Sequence, residues 1–141
     1  MSVPELKRQE GELKVITKAR AFAARTIAIC TNEDKIPKKL RWAYAYKICE
    51  KSNEMFSNIL EANSIFVENS TEAQMRIILW KKALANSTSV LGFIDMSLDL
   101  PNVNIPVEKL KFWAEQVDEV QKLIRSRIKS DKIRFSGVGS V

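Results

Sequence analysis

The side chains best placed to do chemistry in this 141-residue chain are cations. Between Leu13 and Arg25 stand Lys14, Lys18, Arg20 and Arg25, with no Asp or Glu among them. Lys14, Lys18 and Arg25 follow one another at spacings of four and seven, so a 3.6-residue period sets them in one nearly straight stripe. Such a stripe repels itself unless an anion sits on it, and the chemistry it suits is a grip on phosphate. The competing readings are a solvated face and pairing with acids of a neighbouring helix or subunit. Arg20 falls at the margin of the apolar face, where its stem lies across a groove or its guanidinium meets a buried Glu.

A second cluster, Lys35, Lys38, Lys39 and Arg41, surrounds Pro37. Cations in the first turn of a helix oppose its macrodipole. Helix stability therefore does not explain them, whereas contact with phosphate or an acidic protein does; drift on an exposed loop is the rival account. A third set, Lys122, Arg125, Lys129 and Lys132, is spaced three, four and three, with Arg127 and Arg134 nearby and Asp131 to offset them. Cations near a helix C-terminus complement its dipole, but this run is longer than that needs. The net charge of +6 points the same way, toward an anionic partner, of which nucleic acid is the commonest.

Other chemistry is poorly supplied. With no histidine, the usual general base, the Ser/His and Cys/His pairs and imidazole metal ligands are all missing. The two cysteines, Cys30 and Cys49, lack metal-site spacing and sit among apolar residues at helical period, so they read as reduced core residues without a disulfide. Glu54 and Glu61 are seven apart, and Asp95 and Asp99 four apart. Without a histidine or a glycine-rich loop beside them they read as ion-pair partners, and no enzyme activity, metal or cofactor is expected. Trp42, Trp80 and Trp113 fall on apolar seams, which favours core or subunit contact over base stacking.

The elements that must carry these residues are helices. Four Gly and four Pro in the whole chain leave few places to turn, and no hairpin pattern is present. The first helix is expected over about 12–31, with Leu13, Ile16, Ala23, Ile27 and Cys30 on one seam and Val15, Ala19, Phe22 and Ile29 on the next. The second, over about 37–66, opens at Pro37 and carries Ala45, Ile48, Ser52, Met55, Ile59, Ala62 and Phe66 at alternating three and four, widened by Trp42, Tyr46, Cys49, Phe56 and Leu60. The third, over about 71–99, starts with a capping box of Thr71 and Gln74 and buries Ala73, Ile77, Trp80, Leu84, Ser87, Leu91, Ile94 and Leu98. Gly92 within it marks a close backbone approach. The fourth, over about 106–132, buries Leu110, Trp113, Val117, Val120, Ile124 and Ile128, and residues 136–141 form a mobile tail. Four such helices with short links make an all-α, antiparallel, up-down-up-down bundle in a single domain. The polar N-terminus and the lack of any membrane-length apolar run point to the cytoplasm.

The segment Ile36-Pro37-Lys38-Lys39-Leu40-Arg41-Trp42, followed by Lys47-Ile48 and then Asn58-Ile59-Leu60-Glu61-Ala62-Asn63, resembles a bacterial family of small four-helix bundles. That family includes the protein encoded in intervening sequences of 23S ribosomal RNA and the accessory variability determinant of diversity-generating retroelements. The shared pattern is an aromatic or aliphatic residue, Pro and Lys, a basic residue soon after, and Asn-Ile-x-Glu-Ala or Asn-Ile-x-Glu-Gly late in the second helix. The resemblance implies a homo-oligomeric ring, a pentamer in the best-known members. It implies a basic accessory protein without a catalytic site that associates with a reverse transcriptase and with RNA or DNA. Asn63 in place of Gly is closer to the accessory branch. Of the family's basic residues, Lys38 and Arg41 carry over most securely, whereas Lys14, Lys18 and Arg25 rest on spacing alone. The alternative is a structural or protein-interaction bundle of the ribosomal-RNA-insertion type, with no direct nucleic-acid role and an acidic protein as its partner.

Overall fold

The computed structural model describes residues 3–139, with side chains described from residue 10 onward. Four long helices carry the chain: α1 (Val3–Cys30), α2 (Tyr46–Ser64), α3 (Ser70–Met96) and α4 (Val107–Arg134). No strand occurs among the described residues. One core runs through all four, with Val15, Ala19 and Phe22 from α1, Ile48, Met55 and Ile59 from α2, Trp80, Ala83 and Val90 from α3, and Trp113, Val117 and Ile124 from α4. This is the all-helical, four-helix fold that the period demands.

The departures have local causes. Helix α1 begins at Val3, about nine residues before the expected start. Its first turns combine mixed charges with Gly11, so they show no apolar period, and Pro4 in the first turn costs the helix nothing. Its core line is Val15, Ala19, Phe22 and Thr26, while Leu13 and Ile27 from the other expected seam stay exposed. Pro37 does not open α2 directly. It precedes a 3₁₀ turn (Lys38–Leu40) and then a π-helical turn (Arg41–Ala45) before the α-helix begins at Tyr46. A π turn closes its hydrogen bonds from i to i+5, so residues ahead of α2 are rotated away from the positions a 3.6-residue period assigns. Trp42 thereby leaves the core and is 73% exposed, and Tyr44 is buried instead, while Ala45 is buried as expected.

The cap of α3 is Asn69, whose side chain accepts from the Glu72 N–H at 2.9 Å, while Glu72 Oε1 accepts from the Glu68 N–H at 2.9 Å. This box lies two residues before the expected Thr71–Gln74 pair, since Asn69 holds the extended backbone a cap needs and Thr71 is already helical. Gly92 faces open space, so no close approach requires it. The carbonyl of Gly139 accepts from the Ser70 N–H at 2.9 Å, which seats the chain after α4 on the start of α3; Ser140 and Val141, the end of the expected mobile tail, lie outside the described residues.

Polar pairs set the register between helices. Trp113 Nε1 donates to Thr26 Oγ1 at 3.0 Å, Asn58 Nδ2 to Asn86 Oδ1 at 2.8 Å, and Gln121 Nε2 to Ser87 Oγ at 3.0 Å. Residues early in α1 meet residues late in α4, because Glu12 lies beside Arg134 and Thr26 beside Trp113.

Candidate nucleic-acid interface

Helix α1 presents Lys14, Lys18 and Arg25 on its exposed side because Val15, Ala19 and Phe22 turn the opposite side into the core. Lys18 Nζ reaches Glu119 Oε1 on α4 at 3.5 Å, and the Arg25 guanidinium lies 4.7 Å from the centre of the Phe112 ring, also on α4. The stripe therefore runs along α4. Lys122, Arg125, Lys129 and Lys132 form a separate exposed row on α4, turned from the Glu119 line toward the side where Gln121 meets Ser87 of α3. Lys122 pairs with Asp118 at 3.1 Å within its own helix, and Arg125 Nη1 donates to Gln121 Oε1 at 3.3 Å. Lys14, Lys129 and Lys132 are exposed and make no ion pair among the described residues. Arg20 is likewise exposed and makes no ion pair with a Glu among the described residues.

The second cluster stands apart. Lys38, Lys39 and Arg41 ride the 3₁₀ and π turns that join α1 to α2, at the end of the molecule where the Asn104 N–H donates to the Lys35 carbonyl at 2.7 Å. Arg41 pairs with Glu33 at 3.3 Å, and Lys38 and Lys39 are exposed with no ion pair among the described residues. The ten candidate cations thus fall into a row on α1, a row on α4 and a separate loop trio.

Each helical row is long enough to follow a strand of phosphates. Lys14 to Arg25 spans about 16 Å and Lys122 to Lys132 about 15 Å at 1.5 Å per residue, the run of about four or five phosphates along one strand of a duplex. The ion pairs to Glu119 and Asp118 are exposed on both sides, so they are weak enough for a phosphate to displace them. Among the described residues no group of three or more Cys, Asp or Glu is arranged to hold a metal. Glu54 pairs with Lys51 at 3.4 Å and accepts from Asn86 at 3.1 Å, while Glu61, Asp95 and Asp99 are exposed.

The strongest polar site is centred on a residue that sequence reading does not single out. Arg76 is 3% exposed and sits at the end of the molecule where α1 and α3 begin and α2 and α4 finish. Its Nε donates to Asp131 Oδ2 at 2.7 Å and its Nη2 to Glu12 Oε1 at 2.9 Å and Asp131 Oδ1 at 3.4 Å. Its Nη1 donates to the carbonyls of Ala62 at 3.1 Å and Ile65 at 3.5 Å. All five guanidinium donors are thus engaged. Trp80 Nε1 adds a third bond to Asp131, at 2.9 Å, and Arg134 reaches Glu12 at 3.4 Å. Arg127 lies against Gly11, where an added Cβ would stand 2.7 Å from its Cζ. Burial pushes the Arg127 guanidinium below its ordinary value, and the carboxylates of Glu12 and Asp131 pull it back. Every long helix, or the chain leaving it, contributes to this cluster, so its chemistry is that of a structural clamp. One signal points to it: Asp131 is the lone acid in a basic run.

A groove of about 750 Å³ opens at the π turn, between the end of α1 and the start of α2, walled by Ile27, Cys30, Trp42, Ala45, Tyr46 and Cys49. Trp42 and Tyr46 pack with ring centres 5.5 Å apart. Cys30 and Cys49 are free thiols, half-buried in its wall rather than enclosed in the core. No helix among the described residues is long and apolar enough to cross a membrane. No family model, curated protein or solved structure matches this chain.

Proposed function

We propose that this protein is a non-enzymatic, basic accessory protein that binds RNA or DNA and docks on a reverse transcriptase of a diversity-generating retroelement in the cytoplasm. The nucleic-acid part of this reading is carried by one observation: the neighbouring helices α1 and α4 each carry an exposed row of cations, in which Lys14, Lys129 and Lys132 make no ion pair among the described residues. The reverse transcriptase enters through the motif resemblance around Pro37 and Asn58. An antiparallel, up-down-up-down arrangement is supported by the order of the contacts, with Glu12 beside Arg134 and Thr26 beside Trp113 for α1 and α4, and Arg76 beside Asp131 and Ser87 beside Gln121 for α3 and α4.

A homo-oligomer, a pentameric ring in this reading, enters through the motif resemblance. Exposed apolar side chains such as Phe66 and Ile133 near the Arg76 end and Trp42 at the other, between 69% and 80% exposed, are surface that a second copy would cover. Five chains of +6 each would pool a charge of about +30 before counterions, enough to hold a polyanion without reading bases.

Fluorescence anisotropy with unrelated single-stranded RNA and DNA tests the proposal. Binding at low salt is expected, weakened at least about tenfold by K14E/K18E/R25E. The second reading, a protein-interaction bundle with an acidic protein partner, draws on the same unneutralised cations and on the exposed Trp42 and Tyr46; it requires no binding to either polymer. For the retroelement assignment, a reverse-transcriptase reading frame beside this gene is expected, and a ribosomal-RNA insertion around it would overturn that assignment.

A further inference from the structure

Both cysteines of the chain meet in the wall of the π-turn groove. Cys30 closes α1, and Cys49 lies in the first turn of α2. Cys49 Sγ is 4.0 Å from the Thr26 carbonyl oxygen, which stands one helical turn before Cys30 on α1. Each thiol shifts the acidity of the other, Cys30 upward and Cys49 downward. Neither is in a disulfide, and both open onto a groove whose volume lies within the usual range of small-molecule sites. A pair of cysteines kept only for packing needs neither mutual contact nor an opening.

We propose that Cys30 and Cys49 form a redox-active dithiol that reduces a low-molecular-weight disulfide admitted by the groove, with Cys49 attacking and Cys30 resolving. The division of roles follows the direction in which each thiol shifts the other. The neighbouring Cys30 holds the Cys49 thiol below its ordinary value against the opposing effect of burial, while Cys49 and burial push the Cys30 thiol up. Cys49 is therefore the sulfur that more readily becomes a thiolate, the form that attacks. Cys49 Sγ bonds to one sulfur of the incoming disulfide, whose S–S bond breaks and whose electron pair leaves on the other sulfur. The departing thiolate takes up a proton. Cys30 then gives up its proton and attacks Cys49 Sγ, breaking the mixed disulfide and expelling the second thiolate, which is protonated in turn. Two protein thiols are oxidised to one disulfide and one small disulfide is reduced to two thiols, with two electrons and two protons passed across. The new bond would tie the end of α1 to the start of α2 beside Trp42. This goes beyond the nucleic-acid reading and does not depend on it.

The test equilibrates the full chain with mixtures of glutathione and glutathione disulfide, then alkylates the remaining thiols and measures intact mass. Wild-type protein is expected to lose about 2 Da as a monomeric internal disulfide, without a lasting glutathione adduct. Cys30→Ser is expected to hold one glutathione on Cys49, and Cys49→Ser to react at least about tenfold more slowly. Circular dichroism checks that both variants keep their helix content, and the wild-type arm needs no variant. Two alkylatable thiols persisting in excess glutathione disulfide would overturn the proposal, as would stable adducts on both cysteines or equal rates for the two serine variants.

Discussion

At the scale of single residues, Arg76 and the surface lysines mark opposite extremes of what a charge contributes. Arg76 and Asp131 are buried together, so removing either leaves the other uncompensated. Arg76→Ala is expected to lower the unfolding free energy in urea by about 3–5 kcal/mol. Lys18→Ala, which breaks a pair about half exposed on both sides, is expected to change it by less than about 1 kcal/mol. Tyr44 carries the clearest pH signature. Burial raises its hydroxyl from 10.0 to about 12, so the fold favours the neutral form. The contribution is complete below the unfolded value and is lost as pH rises through the folded one. Urea midpoints for wild type should therefore fall between pH 10 and 12, and the fall should be shallower in Tyr44→Phe; identical profiles would contradict this assignment. Neither Arg76 nor Tyr44 stands out in the sequence. Ile77, beside Arg76, is the more apolar candidate for the same seam, and a charged residue in a helix ordinarily faces water. What buries Arg76 is a set of acceptors scattered from Glu12 to Asp131, which no local pattern reveals.

At the scale of elements, legibility follows how sharply each helix separates its faces. In α2 and the turn before it, the expected stripe of Ala45, Ile48, Ser52, Met55, Ile59 and Ala62 is buried throughout, and in α4 the stripe from Leu110 to Ile124 is too. Phe66 is exposed because the helix stops at Ser64. Helix α3 separates its faces least, and there half of the expected seam, Ala73, Trp80, Ser87 and Ile94, is buried as expected. At the other four positions burial falls one residue earlier, on Arg76, Ala83, Val90 and Ser97, leaving Ile77, Leu84 and Leu91 half-buried and Leu98 exposed. Among those four, Arg76 is the one whose side chain bonds to other helices. The π turn is equally hidden, since Arg41–Ala45 has no sequence mark that sets it apart from an α-helical turn. Two substitutions test the element account by thermal and urea unfolding. Asn69→Ala removes the α3 cap and should cost about 1 kcal/mol. Gly92→Ala, at a mid-helix position with nothing within 4 Å of the added methyl, should stabilise by about 0.5–1 kcal/mol. Destabilisation would mean that a neighbour does require the glycine.

At the scale of the whole molecule, the cations are legible in the sequence one by one and not as a surface. Spacing along α1 finds Lys14, Lys18 and Arg25, but only the contacts to Glu119 and Phe112 bring that stripe beside α4, and the same contacts leave Lys38, Lys39 and Arg41 elsewhere. The exposed apolar surface is not legible either, because Phe66 and Ile133 come from distant parts of the chain. If that surface joins copies, light scattering should find an assembly at micromolar concentration that F66E/I133E dissociates, with helix content retained; a wild-type monomer would remove the ring from the proposal. The pooled field of such an assembly is what binds a polyanion, so the most direct test is the slope of log Kobs against log salt for a single-stranded RNA. The account predicts a steep negative slope for wild type and a shallower one for K14E/K18E/R25E, by about 0.7 for each phosphate of a single strand that the variant no longer neutralises. A wild-type protein that fails to bind at low salt, or a variant with unchanged slope and affinity, would contradict it.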